Sequence, residues 1–84
     1  MTTQLHYRLL LNKEPEGGYT VTVPVLPGCI TFGETLEDSI SNAKEAISLY
    51  LESLVAHNEP IPTEENIFEY SLSFPFESAY AIPV

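Results

Sequence analysis

Residues 35–54 read TLEDSISNAKEAISLYLESL, and this stretch decides the fold. Its apolar side chains recur at spacings of four and three, at Leu36, Ile40, Ala43, Ile47, Tyr50 with Leu51, and Leu54. Thr35 is a good N-cap residue, and Asp38 stands three positions later as a weaker form of the capping box. At the other end, Asn58 tolerates the left-handed conformation of a C-cap, and Pro60 prevents continuation. The pattern therefore predicts one amphipathic helix of about 20 residues.

Three short apolar segments precede this helix. Residues 5–11 place large apolar side chains at a period of two, and residues 19–23 alternate apolar residues with threonine. The turn residues at 14–18, a proline and two glycines among them, join these two segments into a predicted β-hairpin. Pro24 and the Pro27-Gly28 turn break the chain before a third predicted strand at residues 29–32.

The segment after the helix alternates strongly between large apolar and smaller or polar residues. Its apolar members are Phe68, Tyr70, Leu72, Phe74 and Phe76. The segment predicts a fourth strand, followed by an extended arm at residues 77–84. A right-handed crossover through the helix gives the order 3-2-1-4, so the expected fold is α+β with the sequence β-β-β-α-β. One helix cannot cover both faces of such a sheet. We therefore assign the five apolar residues to the core and to self-association in a homodimer or higher homo-oligomer.

Composition limits the classes of function. The chain has 84 residues, 12 acidic and 3 basic, and a formal net charge of −9, which leaves room for one domain. Lys and Arg hold phosphate backbones, so we expect no direct binding of nucleic acid. The charge favours a basic partner and fast, salt-sensitive association, although solvation alone could also explain it. No signal peptide or membrane-spanning run is visible, which places the protein in the cytoplasm.

Reactive side chains are few and scattered. A lone Cys29 is more typical of packing than of catalysis, and His57 complements the dipole at the predicted helix end. Metal-dependent phosphoryl chemistry needs carboxylates that converge from several strands, but Glu69 is the sole acid inside a predicted strand. The glycines lack the spacing that cradles phosphate. The sequence predicts no catalytic, metal or cofactor site, and thus no enzyme.

Residues 16–62 resemble the HicB-type antitoxin family, the antidote half of a bacterial toxin–antitoxin pair. Six short pieces carry the resemblance in order and at tight spacing: Gly17-Gly18-Tyr19, Val23-Pro24, Leu26-Pro27-Gly28-Cys29, Gly33-Glu34-Thr35-Leu36-Glu37, Asn42-Ala43-Lys44-Glu45-Ala46 and Pro60-Ile61-Pro62. The resemblance implies a partial ribonuclease-H-like fold without nuclease activity, with residues 1–84 as a single HicB-like domain. It further implies that the protein binds and masks a small, basic, mRNA-cleaving toxin of the HicA type. Full-length members usually add a C-terminal DNA-binding domain; no helical pattern follows the last predicted strand, so operator binding is not expected here.

An acidic surface facing a basic ribonuclease is physically sensible, because carboxylates would take the place of phosphates and raise the association rate. The candidate contact residues are Glu14 and Glu16 in the hairpin turn and Glu34, Glu37 and Asp38 at the helix start. The last three would also stabilise a helix N-terminus by themselves. A solitary oligomeric scaffold or small-ligand-binding module, without a toxin partner, remains the alternative function. An enzyme that uses Cys29 or an acidic metal site is a distant third.

Overall fold

The computed structural model describes residues 2–77. The chain forms three short strands, β1 (Leu10–Lys13), β2 (Tyr19–Thr22) and β3 (Ile30–Gly33), and then one long helix, α1 (Leu36–Ala56). The strands make one antiparallel sheet in the order β1-β2-β3. The α+β class and the β-β-β-α order are therefore confirmed. Helix α1 is not apolar enough to cross a membrane, and residues 2–77 contain no other helix.

Strand β1 begins five residues later than predicted. Its register pairs Leu10 with Thr22, so one further antiparallel step pairs Leu9 with Val23 and the next sets Arg8 against Pro24. Proline has no N–H and cannot extend the ladder. Residues 5–9 consequently lie outside the sheet pairing. Their burial follows the predicted alternation except at Arg8: Leu5, Tyr7, Leu9 and Leu11 are half-buried, His6 and Leu10 are exposed, and Arg8 is half-buried as well.

Helix α1 begins and ends where the sequence predicted. The Thr35 side chain accepts a hydrogen bond from the Asp38 amide at 3.0 Å, which satisfies one of the free N–H groups of the first turn. At the other end Asn58 has φ 56°, and the Glu59 amide donates to the Leu54 carbonyl at 2.9 Å. This bond and the left-handed conformation of Asn58 are the features of a Schellman-type C-cap, in which a left-handed residue lets the chain leave the helix.

The core lies between α1 and one face of the sheet. Its buried apolar residues are Val21, Val23, Leu26, Cys29 and Ala43. Helix α1 approaches the sheet through small residues, Ser39 and Ala43, which are both 0% exposed. The helix is thereby rotated relative to the predicted stripe, so that Leu36 and Ile40 are exposed and Ile47 and Tyr50 pack against the core.

The predicted fourth strand is absent from the structure as described. Residues 68–77 pair with no strand, so the observed sheet order is 3-2-1 and not 3-2-1-4. The five apolar side chains of this segment are 72–90% exposed, so their assignment to the core is wrong. Nothing within residues 2–77 covers these five side chains. The predicted extension through residues 78–84 lies outside the described residues.

Candidate partner-binding site

Two loops meet at one end of the sheet. The register sets Lys13 beside Tyr19 and Tyr19 beside Gly33, so the β1–β2 turn and the β3–α1 connection share that end. Glu16 from the turn and Glu34 from the connection line one open cavity of about 440 Å³. The structure thus brings together two of the predicted contact residues that are 18 positions apart in the chain.

The β1–β2 turn holds Glu16 through backbone geometry. Gly17 and Gly18 have φ values of 110° and 82°, a region that L side chains rarely adopt. The Gly17 amide donates to the Glu14 carbonyl at 3.0 Å, and the Glu14 amide donates to the Gly18 carbonyl at 2.9 Å. A Cβ at Gly18 would also overlap the ring of Phe32. The turn therefore packs against β3, next to Glu34.

The other three predicted contact residues differ in their surroundings. Glu37 and Asp38 are exposed on the first turn of α1, where negative charge stabilises the helix N-terminus. Glu14 is half-buried, and its Oε1 accepts a hydrogen bond from the Thr20 hydroxyl at 2.8 Å. Four carboxylates therefore face solvent at this end of the molecule, and the fifth is held within the hairpin. We call Glu14, Glu16, Glu34, Glu37 and Asp38 the acidic end.

Little reactive chemistry accompanies this surface. No group of His, Cys, Asp and Glu within residues 2–77 is arranged to hold a metal ion. Cys29 is 5% exposed, and burial raises the pKa of its thiol, which disfavours the nucleophilic thiolate. His57 Nδ1 lies 2.7 Å from the Ser53 carbonyl oxygen at the helix end. The arrangement is suited to recognising a positively charged surface.

Sequence reasoning missed an ion-pair cluster on the other side of the molecule. Arg8 Nε lies 2.6 Å from Glu64 Oε1, the Arg8 amide donates to Glu64 Oε2 at 2.5 Å, and Arg8 Nη1 lies 3.3 Å from Glu69 Oε1. Next to them the Tyr7 hydroxyl donates to the Pro62 carbonyl at 2.6 Å. These bonds fasten the segment after the helix to residues 7–8. The partners are more than 50 positions apart, and no local pattern signals their pairing.

The Arg8 contacts predict a specific pH dependence. The guanidinium and the amide of Arg8 hold the pKa of Glu64 below its ordinary value. A depressed pKa in the folded state adds stability above the ordinary pKa, and that stability is lost as the pH falls through the folded value. Glu64→Gln should therefore lower the melting temperature at pH 7, and the difference from wild type should vanish in strong acid. The matched control is Glu65→Gln, at an exposed neighbour; equal losses in both variants would contradict the assignment.

A three-stranded sheet under one helix, with an exposed acidic end, defines a small α+β domain. The sequence model for the HicB_like antitoxin of bacterial toxin-antitoxin system matches residues 7–82. The chain belongs to this family of HicB-like antitoxins.

Individual relatives agree with that membership. The chain is 48% identical over 62 residues to a UPF0150 protein of Synechocystis sp., covering 74% of this chain and 78% of that protein. It is 47% identical over 60 residues to a UPF0150 protein of Thermoplasma acidophilum, covering 71% and 87% respectively. It is also 30% identical over 77 residues to Antitoxin HicB of Escherichia coli K12, where the match covers 89% of this chain and 56% of the relative.

Proposed function

We propose that the chain is a non-catalytic antitoxin that binds and neutralises a small, basic, mRNA-cleaving toxin of the HicA type, and that the acidic end is its contact surface. The observation that carries this proposal is the shared cavity of Glu16 and Glu34, with Glu37 and Asp38 on the adjoining helical turn. Membership of the antitoxin family supports the antitoxin role. Residues 1–84 would act as a single HicB-like domain in the cytoplasm, where mRNA-cleaving toxins meet their substrate.

Charge supplies the physical reason for this choice of surface. The chain has 12 acidic and 3 basic residues, and Arg8 is already engaged by Glu64 and Glu69. Clustered charge of one sign raises the rate of association with an oppositely charged partner by about 10–1,000-fold, and the gain falls as salt is added. A ribonuclease that binds RNA phosphates offers such a partner, and carboxylates on a fixed turn would occupy the same positive groups.

Charge reversal at the acidic end tests the proposal. We expect the double variant Glu16→Lys/Glu34→Lys to bind a co-expressed HicA-type toxin with an association rate at least about tenfold lower at low salt, because rim charges act mainly on that rate. The salt dependence of the rate should also weaken. Stopped-flow binding and rescue of toxin-inhibited growth provide the two measurements.

The control is Glu45→Lys/Glu52→Lys, which makes the same change in net charge on the exposed side of α1. A local contact predicts little effect for this variant, whereas an equal loss in both variants would show that net charge alone matters. If the wild-type protein binds no HicA-type toxin, the alternative of an oligomeric scaffold or small-ligand-binding module gains, and the antitoxin proposal fails.

A further inference from the structure

An apolar groove runs between residues 5–9 and helix α1. Its volume is about 420 Å³, and its apolar walls are Leu5, Tyr7 and Leu9 on one side and Ile40, Ile47 and Leu51 on the other. Lys44 is the basic residue in its lining. Residues 5–9 pair with no strand, and within them the Arg8 amide is already bonded to the Glu64 carboxylate. The groove therefore offers an apolar floor beside a segment that lies outside the sheet.

The same chain carries a segment with the complementary properties. Residues 68–76, here called the aromatic arm, place Phe68, Tyr70, Leu72, Phe74 and Phe76 at a period of two, so in an extended chain they share one side. These side chains are 72–90% exposed. Large exposed apolar patches are rare on monomeric proteins, and where they occur they mark interaction sites.

The arm starts beside the groove and yet does not fill it. Arg8 holds Glu64 and Glu69, which fixes the beginning of the arm against residues 7–8. The molecule is nevertheless elongated, with a radius of gyration of 16.6 Å, where a compact domain of this length has about 12 Å. The arm therefore leads away from the body of its own chain.

We propose that the aromatic arm of one copy lies in the groove of a second copy, which returns its own arm, so that the chain forms a strand-exchanged homodimer. The inference does not depend on the toxin proposal. Reciprocal exchange produces a closed dimer with two-fold symmetry, in which each groove holds the arm of the other copy. Each buried aromatic residue hides about 150–250 Å², so two arms bring the interface into the range of about 1,200–2,000 Å² that stable complexes bury.

Charge and hydrogen bonding agree with this occupant. The arm contains Glu69 and is followed by Glu77, with no basic residue, whereas the groove contributes Lys44. An extended arm laid beside residues 5–9 would add a strand there, as in other cases of strand addition, with the Arg8 amide remaining bonded to Glu64. Pro75 removes only one donor from the arm.

Single substitutions on the two sides of the contact test the exchange. Sedimentation over a range of concentrations should show a dimer for the wild-type protein, and its dissociation constant should rise about 100-fold for Phe74→Glu in the arm and for Ile40→Glu in the groove. Ile40 is 40% exposed in the single chain, so the glutamate leaves the fold intact, which circular dichroism would verify. The control Leu49→Glu, 60% exposed on α1 and outside the groove lining, should keep the wild-type dissociation constant. A wild-type protein that stays monomeric, with its arm folded into its own groove, would overturn the proposal.

Mixing the two variants separates exchange from other modes of association. A heterodimer of Phe74→Glu with Ile40→Glu contains one intact arm in one intact groove, so it should form more tightly than either variant dimerises alone. If the dimer instead joins the exposed sheet faces, mixing will restore nothing and Ile30→Glu will abolish the dimer, which would refute the exchange. Toxin binding takes no part in these measurements, so their failure is distinguishable from failure of the antitoxin role.

Discussion

Leu26→Ala should lower the free energy of unfolding by about 3 kcal/mol. Leu26 lies in the loop between β2 and β3, is 0% exposed, and packs with Val23 and Cys29 at the centre of the core. Truncation removes three heavy atoms from a site whose backbone cannot collapse, because the Leu26 amide donates to the Val23 carbonyl at 3.0 Å and the Cys29 amide donates to the Leu26 carbonyl at 2.9 Å. A domain of this length has about 4–13 kcal/mol in total, so the loss is a large share of it.

Urea denaturation followed by circular dichroism measures this loss. Ile30→Ala is the matched control, since Ile30 is an aliphatic residue near the same loop but is 60% exposed. We expect that variant to lose less than about 1 kcal/mol. Comparable losses for Leu26 and Ile30 would mean that Leu26 is not the centre of the core.

Gly33→Ala should cost about 3 kcal/mol or more, because Gly33 is where β3 touches the first turn of α1. An added Cβ would overlap the backbone N and Cα of Ser39 and would lie 2.8 Å from the carbonyl carbon of Asp38. Backbone atoms inside a capped helical turn cannot move aside, so the whole helix would have to shift away from the sheet. Thermal and urea unfolding would report the loss, and the variant should also lose signal from the packed aromatic residues.

Gly28→Ala gives the comparison that isolates the steric cause. Gly28 has φ 81°, and a Cβ added there would have no other atom within 4 Å. Alanine at this position would therefore cause backbone strain but no steric overlap. The strain amounts to about 1–2 kcal/mol. Should Gly28→Ala prove as harmful as Gly33→Ala, close packing between β3 and α1 would not be the reason for glycine at 33.

Helix α1 was predictable from sequence because its signals are local. Periodicity over 20 positions sets its length, Thr35 sets its start, and Asn58 sets its end, although Ser39 and not Leu36 or Ile40 lies on its buried face. Strand signals depend on partners elsewhere in the chain, and here they failed twice. Pro24 shortened β1 by removing a donor from its neighbour, and residues 68–76 have the pattern of a strand but no partner within residues 2–77.

The five residues of the acidic end could be chosen from the sequence, but their positions relative to one another could not. Its members were identified from charge and from the helix start, but the meeting of Glu16 with Glu34 follows from the register of Tyr19 against Gly33. Two of the motif pieces that carried the family resemblance, those with Asn42 and Pro27, make structural contacts. Asn42 Nδ2 donates to the Phe32 carbonyl at 2.7 Å, and the Tyr50 hydroxyl donates to the Pro27 carbonyl at 2.8 Å, so both tie α1 to the sheet side of the molecule.

Because Cys29 is buried, the reactivity of its thiol reports the opening of the core. Cys29 is the single cysteine of the chain and lies against Val23 and Leu26. A thiol reagent can reach it only after the core opens, so the rate of labelling in native buffer measures the free energy of that opening without denaturant. A fluorophore attached to a cysteine engineered on the surface would leave Cys29 untouched while the domain stays folded. Labelling of Cys29 would then report the unfolding of a destabilised variant.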